Sequence, residues 1–184
     1  MNIYFTNIKK NIEPIITLFV LSSSLVLSIA FYDIGHAFII AGLLFIYLIL
    51  AYSKLNRGIF STSFILLTLM MVVASHSVLN LYSRIYWYDK PVHFTAEFIL
   101  TLLSAHIIVT KKLAIFKNKY IFFFVILSIG LSLGGLWEII EWFLNLLKPA
   151  KFGYTATDTA MDLLVDLFGV IVAGIFSIYK LYKD

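Results

Sequence analysis

The chain reads as an all-α polytopic membrane protein, a bundle of six transmembrane helices with both termini in the cytoplasm. Three observations carry this. Of its 184 residues 61% are hydrophobic and only 13% charged, a balance that belongs to the membrane class rather than to soluble domains of this size. Six apolar runs each come close to the ~20 residues that a spanning helix needs. The basic residues fall unevenly between the loops that join those runs. One integral membrane domain covering 1–184 is expected.

The runs lie at roughly 12–31, 36–53, 59–81, 92–110, 120–145 and 158–180. The first follows Lys9 and Lys10 and superficially resembles a signal peptide, but it is too long and has no cleavage site. The link Tyr32-Asp33-Ile34-Gly35 is so short that the first two runs form an antiparallel helical hairpin, or else a re-entrant pair. Alternate loops then divide the fourteen Lys and Arg residues. Ten of them, namely Lys9, Lys10, Lys54, Arg57, Lys111, Lys112, Lys117, Lys119, Lys180 and Lys183, share the side of the termini. Arg84, Lys90, Lys148 and Lys151 take the other. The richer side is cytoplasmic by the positive-inside rule. The bases are scattered rather than gathered into an aromatic-interleaved patch, so the net charge of +4 does not point to nucleic acid. No internal repeat is apparent.

Against this apolar background the acids of the last three runs stand out. Glu138 and Glu141 in WEIIEW are three residues apart and share a helix face; Asp158, Asp162 and Asp166 follow at four-residue steps. His93 and Glu97 form a similar i, i+4 pair at the start of the fourth run. With the orientation above, all seven enter the outer half of the membrane, and the aspartate stripe reaches ~12 Å inward at ~1.5 Å per residue. Ser75, His76 and Asn80 lie near the same surface, Asp89 precedes the fourth run, and Arg84 is the nearest expected cation. The inner halves are apolar apart from Ser, Thr and His106.

Each candidate has a purely structural alternative. Thr155-Ala156-Thr157-Asp158 fits a capping box, and Asp89 fits a cap for the helix that Pro91 begins. Trp137 and Trp142 suit an interfacial belt, which would hydrate Glu141. His93 alone would be a structural histidine. Glu97, Glu138, Asp162 and Asp166 have nothing in their sequence surroundings to cap or solvate them, and an ionisable residue at the bilayer centre costs about 2.5–3.5 kcal/mol. Gly130 and Gly134, with Gly169, Ala173 and Gly174, make small-residue faces that let helices approach; packing accounts for them.

Carboxylates this crowded cannot all stay ionised without protonation or a cation, because like charges and desolvation both raise their pKa values. The chain has no cysteine, so a metal would take oxygen and imidazole ligands, which suits Zn, Mn, Mg or Fe. The expected metal ligands are His93, Glu97, Glu138, Asp158, Asp162 and Asp166. Glu138, Glu141 and Asp162 are the expected catalytic groups, with His76, Asp89 and Arg84 as further candidates. Such a site can polarise a phosphoryl group or generate hydroxide, a spare carboxylate acting as base.

The blocks DKPVHFTAEF, GLWEIIEWF and TATDTAMDLLVDLFG resemble those of the YjdF-like inner-membrane proteins within the broader VanZ-like group. The resemblance covers roughly the last hundred residues. It implies roles for Asp89, His93, Glu138, Glu141, Asp158 and Asp162, and carries over Glu97 and Asp166 less directly. The VanZ-like association with the cell envelope implies a membrane lipid or lipid-linked substrate. The function expected is thus a membrane-embedded enzyme working at the extracytoplasmic side. A proton- or cation-coupled transporter and a membrane assembly subunit stand as alternatives, and a homo-oligomer is left open.

Overall fold

A computed structural model of the chain describes residues 2–30, 37, 40–45, 47–48, 65–69, 81–85, 87–113, 115–147 and 155–182. Among these the regular structure is helical throughout: α1 (Asn2–Ala30), α2 (Leu81–Arg84), α3 (Asp89–Thr110), α4 (Lys119–Leu147) and α5 (Ala156–Lys180). The second and third expected runs fall largely outside the described residues; helical backbone is described there at 40–45 and 65–69. Two compact units are distinguished, Met1–Tyr88 and Asp89–Asp184.

In the first unit, α1 contains Pro14, and its apolar part runs Pro14–Ala30. Thr17, Leu21, Ser24 and Ser28 are buried while Ile15, Phe19, Val26 and Ile29 are exposed. A helix that hides small hydroxyl residues and shows its large aliphatic ones is built for a lipid surround, where helix association relies on close packing and hydrogen bonds.

In the second unit α3, α4 and α5 each have the length and apolarity to cross a membrane, and all three pack pairwise. Their bounds follow the expected fourth to sixth runs, with α3 beginning three residues earlier, at Asp89. The Asn118 side chain accepts from the Tyr120 amide at 2.8 Å, capping α4. Thr155, in extended backbone, caps α5 by accepting from the Asp158 amide. At the end of α3 the amides of Lys112 and Leu113 bond to the carbonyls of Val109 and Ile108, a Schellman pattern that places Lys112 at a φ of 51°.

Small residues set how closely the three helices approach. A Cβ on Gly169 would lie 2.7 Å from the Phe94 carbonyl oxygen, so α5 rests on the backbone of α3 there. One on Gly174 would meet the Phe123 ring at 2.8 Å. Further along, Ala105, Phe122 and Ile126 form a fully buried apolar core, flanked by Phe116 and Tyr182. These contacts run α3 and α5 parallel with α4 antiparallel, so the starts of α3 and α5 and the end of α4 meet at one end of the unit.

Candidate functional site

That end gathers seven of the ten acids of the chain. Lys90, in the first turn of α3, donates to Asp158 Oδ1 and Asp162 Oδ1, both at 2.7 Å, and to Asp89 Oδ2 at 3.1 Å. Its side chain is 15% exposed and that of Asp162 only 2%, so this is a half-sheltered ammonium tying α3 to α5. Lys90 uses all three of its donors in doing so.

One turn deeper, His93 Nδ1 lies 3.1 Å from Asp166 Oδ1. A proton on Nδ1, donated to the Asp166 carboxylate, accounts for that distance, the tautomer of the ring deciding which atom donates. Around the same ring, Glu138 Oε1 is 3.8 Å from Nδ1 and Asp162 Oδ1 is 3.8 Å from Nε2. Glu141 accepts from the Trp137 indole at 3.0 Å, one turn apart on α4. Glu97, a further turn along α3, is 3% exposed and feels the charges of both Asp166 and His93.

Several buried oxygens in this cluster have no hydrogen-bond partner among the described residues: both of Glu138, Oε2 of Glu97 and Oδ2 of Asp166. A buried carboxylate without partners is costly. Space has been made for them nonetheless. A Cβ on Gly134 would stand 2.8 Å from Asp166 Oδ2, so the glycine admits the carboxylate in addition to bringing helices together.

Two groups have the ligand-atom spacing to hold a cation, with one atom from each residue and all within 4.8 Å of one another: His93, Glu138 and Glu141, and Asp89, Asp158 and Asp162. The Lys90 ammonium already bonds to all three carboxylates of the second. In the first, an imidazole and two carboxylates converge with no cationic side chain bonded to them among the described residues. This donor set suits a borderline or hard divalent ion, and the Asp166 carboxylate behind the imidazole is the kind of support that orients a metal-ligating histidine.

The structure therefore brings together Asp89, His93, Glu97, Glu138, Glu141, Asp158, Asp162 and Asp166. His76 lies outside the described residues. Arg84 belongs to the first unit and is exposed; the cation bonded to the aspartates is Lys90 instead. Asp158 does sit in a capping sequence, and Thr155 caps the helix, but the Asp158 carboxylate turns to Lys90. Asp89 is the first residue of its helix and is bonded to the same ammonium. Lys90 and Trp137 are the two participants that the sequence reading missed. The signal for Lys90 was its spacing: residues 90, 93 and 97 recur at three and four, one stripe of a helix.

Comparisons with known proteins agree with the membrane assignment. A Thermotoga maritima protein described only as uncharacterized is 32% identical over 108 residues, which is 56% of this chain and 56% of the relative; the match thus spans little more than half of that protein. No solved structure is significantly similar. Residues 12–182 match the family described as predicted membrane protein (DUF2238). With three long apolar helices in the second unit alone, the chain is a multi-pass membrane protein and belongs to the DUF2238 family.

Proposed function

We propose that the protein is a membrane-embedded, metal-assisted enzyme acting on an envelope lipid or lipid-linked substrate from the extracytoplasmic side. The observation that carries this reading is the buried Glu138 carboxylate. Among the described residues neither of its oxygens has a well-formed hydrogen bond, it shares a ligand-spaced group with His93 and Glu141, and it lines a groove between α4 and α5. His93, Glu138 and Glu141 would hold the ion, which would supply Lewis-acid polarisation of a substrate oxygen or an activated water. Asp166 orients the imidazole, Lys90 anchors Asp162 beside it, and Trp137 fixes Glu141. Asp162 is the group best situated to move a proton, since one oxygen faces His93 and is steadied by the ammonium.

The orientation rests on charge. Lys111, Lys112, Lys117, Lys119 and Lys180 all belong to the end of the unit remote from the acids, which the positive-inside rule assigns to the cytoplasm. The likeness of the three sequence blocks to VanZ-like proteins supports an envelope substrate by analogy alone.

A cation- or proton-coupled carrier is favoured by one feature: unpaired oxygens on Asp166 and Glu97 continue the polar column inward. Among the described residues, however, the fully buried apolar core of Ala105, Phe122 and Ile126 lies toward the other end of the unit, which favours chemistry at one surface over passage.

The test is turnover. Purified full-length protein is incubated with a membrane lipid extract, with and without chelator, and the lipids are compared by mass spectrometry. The proposal expects one lipid class to be depleted and a new species to appear for the wild type, and neither with chelator or with Glu138→Gln. An unchanged lipid profile across all samples, in protein shown to contain metal, would remove the enzyme reading.

A further inference from the structure

The groove beside Glu138 carries a second inference. Gly135, Glu138, Ile139, Trp142, Thr159 and Leu163 line a cavity of about 520 Å³ between α4 and α5, within the ~300–1,000 Å³ of ordinary ligand sites. It extends from Gly135 to Trp142 of α4, ~10 Å along the axis. Ile139, Trp142 and Leu163 are exposed among the described residues, and they belong to helices long and apolar enough to span the bilayer.

Lipid coats every transmembrane surface, so an apolar groove alone would be unremarkable. Two polar groups set this one apart. Glu138 is 5% exposed; among the described residues neither of its oxygens has a well-formed hydrogen bond, and the Thr159 hydroxyl stands close enough to donate to it. A buried carboxylate at the wall of an apolar channel asks for a cationic occupant. The surrounding cluster, seven carboxylates around Lys90 and His93, gives the same sign: it attracts an ammonium and repels a phosphate. A carboxylate has about four lone-pair sites, so Glu138 can serve a metal and an ammonium together.

We propose that the groove binds one acyl chain of an amine-bearing phospholipid, with the headgroup ammonium at Glu138 and Thr159 and the chain along Ile139 and Leu163. This rests on the proposed lipid chemistry and names its substrate class. Gly135 is the entry point for a clean test. A Cβ there meets nothing within 4 Å, so a larger side chain fills the groove and leaves the helix contacts intact.

The experiment is native mass spectrometry of the full-length chain in detergent, titrated with phosphatidylethanolamine or phosphatidylglycerol of identical acyl chains. The wild type is expected to retain one phosphatidylethanolamine per chain and to prefer it by roughly tenfold, the worth of a charge-assisted hydrogen bond. Glu138→Gln should abolish the preference while some binding of both lipids persists. Gly135→Leu should lose both lipids yet keep the wild-type metal content and thermal stability. Equal or tighter binding of phosphatidylglycerol overturns the proposal, as does full retention by Gly135→Leu. A Gly135→Leu protein that is destabilised with lipid binding unchanged also overturns it, because a helix of the chain would then occupy the groove. Selective lipid retention in metal-free protein would keep this inference and remove the metal-assisted enzyme. Metal without lipid selectivity would do the reverse.

Discussion

The two ends of the α3–α4–α5 unit are built from the same three helices by opposite means. At one end Asp89, Lys90, His93, Glu97, Glu138, Glu141, Asp158, Asp162 and Asp166 converge, and several of their buried oxygens have no partner. At the other, Phe122, Ile126 and Ala105 are fully buried, with Phe116 and Tyr182 stacked against Phe122 at ring separations of 5.3 and 5.7 Å. The apolar end holds itself together by dispersion. The acidic end gathers seven carboxyl groups around one lysine and one histidine, and their repulsion is relieved only by protonation or by added cations. A protein that needed only a stable bundle would have repeated the apolar solution. The difference teaches that one end is built by apolar packing and the other by the convergence of ionisable groups.

The largest expected effect breaks the acidic end. Lys90→Met leaves Asp158 and Asp162 without their ammonium, and removal of one partner of a buried ion pair typically costs about 3–5 kcal/mol. Chemical or thermal unfolding in detergent should register that loss. Adding Asp158→Asn and Asp162→Leu to Lys90→Met should restore most of it, because the uncompensated charge leaves with the aspartates. If Lys90→Met alone is as stable as wild type, the clamp contributes nothing to the fold.

Next comes the apolar end. Phe122→Ala should cost about 3 kcal/mol, the low side of the range for aromatic truncation in a core, because lipid rather than water surrounds the helices. Metal content should stay at the wild-type level. A loss of metal from this variant would mean that the two ends are coupled more tightly than the division between packing and chemistry allows.

A smaller effect compares adjacent glycines. Gly134→Ala drives a Cβ to 2.8 Å from Asp166 Oδ2 and should cost about 1–3 kcal/mol as overpacking, loosening the His93 orientation with it. Gly135→Ala meets open space and should be neutral or stabilising by about 0.5–1 kcal/mol, the ordinary gain of alanine over glycine in a helix. Equal stability of the two variants would show that Gly134 does not make room for the carboxylate.

Much of this asymmetry could be read before the structure. The three last spans, their bounds and the meeting of their acids at one end follow from apolar run length, helical spacing and alternating direction, which are local properties of sequence. Which cation meets the acids is a matter of tertiary geometry. Lys90 is nearer than Arg84 along the chain, and it alone shares the stripe with His93 and Glu97. The pairing of Trp137 with Glu141 hides behind the more ordinary role of tryptophan at an interface. Asp158 belongs to a capping sequence and also serves the cluster, a double use that no spacing rule separates. Gly134 reads from sequence as a packing glycine because the carboxylate that it admits comes from another helix.

The most direct test of the central claim is the metal content of the purified full-length protein, measured together with thermal stability for wild type, Glu138→Gln and His93→Ala, with and without chelator. A cation at His93, Glu138 and Glu141 predicts one divalent ion per wild-type chain. It also predicts a fall in melting temperature when the chelator removes that ion, and near-complete loss of metal in both variants with the helices still inserted. Wild-type protein with no stoichiometric metal and the same stability in every sample would contradict the account, and would leave the acids to a metal-free proton relay.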